Sequence, residues 1–311
     1  MTNNIKTLDS QYIANTYSRY PVQIVDGEGS ILTDENGKHY IDLGSGIGVN
    51  IFGQKDPAWI EAVQTQLHRF QHTSNLYYSA PDAELAEFLC ERTGLKKVFF
   101  SNSGAEANEC AIKAARAYAA AKKGKEWSTI VTLRDSFHGR TLTTLAATGQ
   151  DMFHQDFLPL TPGFVHAEPD DLEGLKQIVR ENRVAGILIE CVQGEGGVRA
   201  LSDAYVKGVA ELCEKEDIVF MTDEVQCGNG RTGKLYAYEH YGVLPDVVST
   251  EKGLGGGLPI GATMLGMKVE NVFTPGKNGS TFGGNPIVCA GALSILKRLD
   301  DKFLAEVTRK G

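Results

Sequence analysis

The chain has 311 residues, 42% hydrophobic and 23% charged, with a formal net charge of -8. That composition suits one large core plus a smaller unit, and the acidic balance excludes a basic nucleic-acid surface or an anionic-membrane surface. Six cysteines form no CxxC pair, so they read as thiols of a reducing compartment rather than disulfides or a zinc site. The opening "MTNNIKTLDSQ" lacks a basic-then-apolar leader. No apolar run approaches ~18 residues, so a cytoplasmic protein without a membrane span is expected.

Residues 1 to 50 form an N-terminal segment of their own character. "PVQIVDGEGSILTDENGKHYIDL" holds two extended stretches around "DENGK", whose Asn36-Gly37 pair predicts a hairpin turn. In "KDPAWIEAVQTQLHRF", Asp56 is an N-cap, Pro57 suits the first helical position, and Ile60, Val63, Leu67 and Phe70 share one face. From residue 51 to 290, short apolar runs alternate with helical patterns. The runs are "KVFFS", "STIVTL", "VAGILIE", "IVFMTDE", "DVVST" and "IGATMLG". Unbroken apolar strands are those covered on both faces. Helical periods such as Ile112, Ala115 and Tyr118, or Val206, Val209, Leu212 and Cys213, lie between them. The pattern predicts an α/β domain with a mostly parallel sheet. Residues 291 to 311 read as helices that begin a further, C-terminal small domain. There Ile295, Leu296, Leu299, Phe303 and Val307 are apolar with nothing after them in sequence to cover them.

Three motifs carry chemistry. In "FFSNSGAEANE", Ser103 and Glu106 make a capping box. The small residues at this strand-to-helix turn also expose backbone N–H groups at the positive end of a helix, where phosphate binds. Asp223 ends the strand in "IVFMTDE", and Lys252 follows "DVVSTE". In open α/β sheets the ligand crevice lies beyond the carboxyl ends of the strands. A capped helix, a loop-capping aspartate and a solvated lysine would each explain one motif alone. Together they fit pyridoxal phosphate, which needs an anion cradle, a lysine amine to condense with its aldehyde, and a carboxylate at its pyridine nitrogen. On this reading the glycines of "STEKGLGGGLPIG" let a flat ring approach Lys252.

The chain resembles the class III pyridoxal phosphate aminotransferases, and among them the acetylornithine aminotransferases, from about residue 15 onward. "SNSGAEANECAIKAAR", "SFHGRT", "ECVQGEGGV", "TDEVQCGNGRTGK", "EKGLGGGLPIGA" and "STFGGNP" carry the resemblance, in that order. It implies a fold-type-I transferase with a seven-stranded, mostly parallel sheet and helices on both faces. It also implies a homodimer with shared sites, and N2-acetylornithine and 2-oxoglutarate as substrates. Ser103, Gly104 and Ala105 would hold the phosphate, Phe137 would stack on the ring, and His138 and Val225 would complete its surroundings. Asp223 would pair with the pyridine nitrogen, Gln226 with the phenolic oxygen, and Lys252 would be the attachment and proton-transfer residue. Thr281 would reach the phosphate of the other subunit. Arg140, Glu195 and Ser280 would face the substrate, with Glu190 supporting the pocket and Tyr17, Ile47 and Asn75 lining it. Gln54 and Asp56 stand where relatives often carry histidines. In the family a second arginine comes from a C-terminal small domain, whose place would follow residue 311.

Other readings have weaker supports. His68 and His72 are four apart but lack a third ligand and an HExxH order, so no metal is expected. "GLGGGL" departs from GxGxxG at Leu258, which disfavours a nicotinamide site. Cys227 has no base near it in sequence. Succinylornithine, ornithine or 4-aminobutyrate are the alternative amino donors, and a cofactor-binding chain without turnover is the alternative outside catalysis.

Overall fold

A computed structural model describes residues 5–311. The chain forms two compact units, one running to Leu43 and taking in Gly53–Lys55, the other comprising Gly44–Phe52 and Asp56–Gly311.

The first unit carries a helix, Ile5–Tyr12, and three strands: β1 (Ile24–Glu28), β2 (Ile31–Asp34) and β3 (His39–Ile41). They pair antiparallel in the order β1-β2-β3. The Asn-Gly turn is where the sequence placed it, with Gly37 at φ 79. Asp34 fastens the turn, its carboxylate accepting from Asn36 N–H (2.8 Å), Lys38 N–H (3.0 Å) and the Tyr40 hydroxyl (2.9 Å). The first extended stretch is itself a hairpin, folding back at Gly29 (φ 54).

The second unit is built on a seven-stranded sheet. Its strands are β4 (Lys97–Ser101), β5 (Thr129–Leu133), β6 (Phe164–Ala167), β7 (Val184–Ile189), β10 (Val219–Asp223), β11 (Val247–Thr250) and β12 (Gly261–Leu265). A short ribbon, β8 (Val192–Gln193) and β9 (Arg199–Ala200), stands apart. The sheet order is β4-β12-β11-β10-β7-β5-β6. All neighbours are parallel except those of β12, which runs against β11 and β4. β7, β10, β11 and β12 are buried along their whole length, as their apolar runs require. Val247 packs with Ile112 and Ala115, whereas Val248 packs with Leu85, Leu89 and Cys289. Successive residues therefore feed opposite helical layers.

Several expectations need correction. β6 was missed: it is an edge strand, half-buried over Phe164, Val165 and His166, and gives no unbroken apolar run. In the helix Pro57–Leu67, Leu67 is 42% exposed while Gln66 is buried, its amide donating to Phe70 O at 3.0 Å. Most of the apolar residues at the C-terminus are covered, with Val307 staying half-buried. Asp300 caps the helix Asp301–Lys310, the chain turns back, and Leu299 and Leu304 close over Gly230. Ile295, Leu296 and Leu299 are buried, and Phe303 meets Phe52 at 5.1 Å between ring centroids. Residues 291–311 pack within the second unit. Among the described residues, no helix is long and apolar enough to cross a membrane.

Candidate active site

The three motifs meet at one edge of the sheet. Asp223, at the end of β10, is in register with Ser249 of β11, three residues before Lys252. Ser101, at the end of β4, pairs with Gly261 at the start of β12. After β4, Ser103 caps the helix Gly104–Lys122, its hydroxyl oxygen accepting from Glu106 N–H at 3.2 Å. The Glu106 carboxylate accepts from Asn102 N–H (2.9 Å) and the Ser103 hydroxyl (3.1 Å), so the box closes on the residue before the cap. Gly104 and Ala105 head the helix, where N–H groups have no intrahelical acceptor. A Cβ on Gly104 would lie 2.9 Å from Val225 Cγ1, which binds this turn closely to the loop after β10.

Asp223 is buried and accepts three hydrogen bonds. Asn108 Nδ2 (2.7 Å) and His138 Nδ1 (2.8 Å) meet Oδ2, and Val225 N–H (3.0 Å) meets Oδ1. His138, assigned to the cofactor from sequence, is turned onto Asp223, while its Nε2 has no partner among the described residues. Glu190, just past β7, accepts from Phe137 N–H at 3.0 Å and so fixes the backbone of that half-buried ring. Burial, and then the charge of Asp223, hold the Glu190 carboxyl well above the usual carboxylate range.

Lys252 heads a short turn with φ 40, a left-handed conformation costly for a residue with a side chain. Its Nζ donates to Gln226 Oε1. Gln226 is hemmed in: a Cβ on Gly194 would lie 2.5 Å from its Cγ, and one on Gly48 2.8 Å from its Nε2. Three of the glycines after Lys252 make room for protein atoms, while Gly257 has only Asn50 Oδ1 near it, at 3.6 Å. The space a Cβ would take at Gly253 is bounded by Ile51 and Asn229, at Gly255 by Leu258 O, and at Gly256 by Ile295 and Trp59. They let the protein pack tightly under the lysine turn, and protein atoms already fill that space. Asn229 completes the support, donating to Thr250 Oγ1 (2.8 Å) and Glu251 O (3.0 Å). Burial raises the Glu251 carboxyl beside Lys252.

The substrate-facing candidates spread around this centre. Arg140 is exposed, its guanidinium 4.1 Å over the Phe153 ring and 5.4 Å from that of Phe137. Glu195 is exposed and accepts from Gln150, which also donates to Ser136 O at 3.1 Å. The Ser280 hydroxyl oxygen accepts from Asn102 Nδ2 (3.1 Å) and Gly283 N–H (2.9 Å), so it is already held by the protein. Asn75 donates to Ser280 O (3.0 Å) and Gly283 O (2.9 Å). Thr281 and Ile47 are exposed, the latter in the segment that carries Gly48 to Gln226. Tyr17 is exposed in the first unit. Cys227 does have a carboxylate beside it, Glu224 Oε2 at 3.2 Å, but burial and that acid hold the thiol well above its ordinary range. Sequence reasoning missed Asn108, Ser249 and Gln150. Only Asn108 left a trace, as a polar residue on a helix face otherwise made by Ala107, Ala111 and Ala115.

The class-III aminotransferase family matches residues 12–311. The chain belongs to the class-III aminotransferases. It is 51% identical over 310 residues to the acetylornithine aminotransferase of Haemophilus ducreyi, covering 100% of this chain and 79% of that one. It is 47% identical over 286 residues to the succinylornithine transaminase of Salmonella paratyphi A, covering 92% and 70%. Its fold is similar to that of an ornithine aminotransferase from Toxoplasma gondii. The TM-score is 0.93 at 33% identity, covering 99% of this chain and 73% of the other, whose active site holds pyridoxal phosphate at partial occupancy.

Proposed function

We propose that this class-III aminotransferase uses pyridoxal phosphate to move the terminal amino group of N2-acetylornithine to 2-oxoglutarate, giving N-acetylglutamate 5-semialdehyde and glutamate. The observation that carries the reading is the meeting of the Gly104 turn, Asp223 and Lys252 at one sheet edge. The 51% identity to an acetylornithine aminotransferase supports the choice of donor.

The residues present fit the cofactor. The turn headed by Ser103, Gly104 and Ala105 offers N–H groups to a phosphate. Asp223 accepts three hydrogen bonds where a carboxylate has room for about four, leaving one lone pair on Oδ1 for a protonated ring nitrogen. Phe137 and Val225 would flank the ring, and Gln226 would meet its phenolic oxygen. When bound, pyridoxal phosphate supplies an electron sink for the charge left on the substrate carbon as a proton departs. Lys252 Nζ would anchor the aldehyde and, as a free amine, take the proton from the carbon bearing the donor's amino group. Asp223 would hold the ring-nitrogen proton by opposite charge.

Arg140 would grip a substrate carboxylate or acyl end, since its fork suits two oxygens and it pairs with no carboxylate among the described residues. Glu195 and Ser280 would complete that end of the site. Thr281, exposed, would reach the phosphate bound by a second copy, making the working form a cytoplasmic homodimer. Succinylornithine is the second reading for the donor, favoured by the 47% identical relative. Visible absorbance of the chain with pyridoxal phosphate tests both. A band near the ring's yellow absorption should bleach with acetylornithine and return with 2-oxoglutarate. Faster bleaching by succinylornithine would move the assignment, and a chain that forms no band would end it.

A further inference from the structure

Asn108 lies one helical turn inside Gly104–Lys122, on the face shared with Gly104, and is 1% exposed. Its amide nitrogen donates to Asp223 Oδ2 (2.7 Å) and to His138 O (2.8 Å). Its amide oxygen accepts from the Ser249 hydroxyl at 2.5 Å. The orientation of the amide is dictated by its neighbours. A carboxylate and a carbonyl only accept, so a reversed amide would set oxygen against oxygen twice and leave Ser249 without this acceptor. The four groups come from four parts of the chain: the phosphate-turn helix, the end of β10, the loop after β5, and β11.

We propose that Asn108 is a positioning residue for the ring-nitrogen end of the cofactor, acting through Asp223. Together with His138 it occupies Oδ2. Oδ1, with Val225 N–H on one side, is then the oxygen left to face the ring. Because Asn108 belongs to the helix whose first turn meets the phosphate, one amide sets the span between the phosphate turn and the ring-nitrogen carboxylate. The inference rests on the cofactor reading given above, and goes beyond it in naming what aims Asp223.

The test compares two ligands on the full chain: pyridoxal phosphate and its carbocyclic analogue, in which CH replaces the ring nitrogen. Dissociation constants are measured by fluorescence for the wild type and the Asn108→Ala, Ser249→Ala and Asp223→Ala variants. The wild type should prefer pyridoxal phosphate. Asn108→Ala should shrink that preference by about tenfold, the scale of one hydrogen bond to a charged group, while barely changing affinity for the analogue. Ser249→Ala, which removes only a hydroxyl, should shrink it in the same direction and less, and stands in if the Asn108 variant does not fold. In an Asp223→Ala background, Asn108→Ala should change neither constant by more than about twofold. Equal weakening of both ligands would reduce Asn108 to a packing residue and overturn the proposal, as would an unchanged preference. A wild type that binds both alike would instead remove Asp223 from the ring nitrogen, and the cofactor reading with it.

Discussion

Gly104 and Val225 close on each other at the head of the site: a Cβ on the glycine would lie 2.9 Å and 3.0 Å from the two valine methyls. Real Cβ atoms do not pack so near a branched side chain, so Gly104→Ala must push either the helix start or the Asp223 loop aside. Neither has slack, because Ser103 and Glu106 pin the first and Val225 N–H, bound to Asp223, pins the second. Overpacking of this kind costs about 1–3 kcal/mol. Gly104→Ala should weaken pyridoxal phosphate binding about tenfold, and adding Val225→Ala should recover most of it. Titration of the variants by fluorescence checks this, and full affinity in the single variant would show the contact to be yielding.

Lys252 and Gln226 form the next pair. Lys252 Nζ donates to the Gln226 carbonyl, so Gln226 helps to orient the amine. Lys252→Ala should abolish the visible band of the attached cofactor and lower turnover by at least about 10³, within the range of lost general acid–base catalysis. Gln226→Ala should keep the band and shift its position. Borohydride followed by peptide mapping checks the attachment point: label on any residue other than Lys252 refutes it.

How much of this was legible depended on burial. β7, β10, β11 and β12 announced themselves because both faces are covered, so their runs are mostly apolar, with polar residues such as Asp223 and Ser249 toward the ends of β10 and β11. β6 sits at the sheet edge and carries His166, whose ring nitrogen meets Thr132 Oγ1 at 2.8 Å, so its pattern broke. Asp223 and Lys252 were legible as polar residues at the ends of such runs. The tight packing at Gly253, Gly255 and Gly256 was not. A missing Cβ is visible in sequence, but Ile295 and Trp59, which occupy the space around Gly256, come from distant segments. Asn108 failed for the same reason, since its partners Asp223 and Ser249 are reached only through the sheet register.

Glu224, beside Asp223, should make stability depend on pH. It accepts from Ala237 N–H (2.8 Å), Tyr238 N–H (2.9 Å) and the Cys227 thiol (3.2 Å). Burial pushes its carboxyl from the ordinary 4.5 up to about 7, against the pull of those donors. The folded state then holds a proton that the unfolded state has released between these two values. Its contribution is full below about pH 4.5 and is lost as pH rises toward about 7. The slope is at most about 1.4 kcal/mol per pH unit. Urea midpoints at pH 5 and 7.5 should fall further in the wild type than in Glu224→Gln, which cannot ionise. Parallel behaviour would mean that Glu224 titrates as an ordinary surface acid.

Arg140 has aromatic faces on its guanidinium and no carboxylate partner among the described residues, leaving its fork for a ligand. Arg140→Ala should raise KM for both acetylornithine and 2-oxoglutarate by about 10- to 100-fold, the cost of a charge-assisted pair. Arg140→Lys keeps the charge and loses the fork, so it should recover only part of the loss. Steady-state kinetics decide the matter. A fall in kcat with KM unchanged would assign Arg140 to the chemical step instead of to binding.

Asp56 joins two distant helices, which makes its substitution informative about stability without touching the site. Its Oδ2 accepts from Trp59 N–H at 3.2 Å as the cap of Pro57–Leu67. Both its oxygens also take the fork of Arg298, at 2.9 Å and 2.5 Å. That guanidinium lies 3.9 Å over the Phe52 ring, so the pair is partly shielded from water and from salt. Losing the cap costs about 1 kcal/mol. Losing a half-buried charged partner adds about 1–2 kcal/mol, because Arg298 then keeps its desolvation without compensation. Asp56→Ala should therefore destabilise by roughly 2–3 kcal/mol in urea, and Asp56→Asn, which keeps an acceptor for the cap, by about half as much. A double-mutant cycle with Arg298→Ala separates the two contributions. Coupling near zero would leave Asp56 as a helix cap alone, with the fork contributing only geometry.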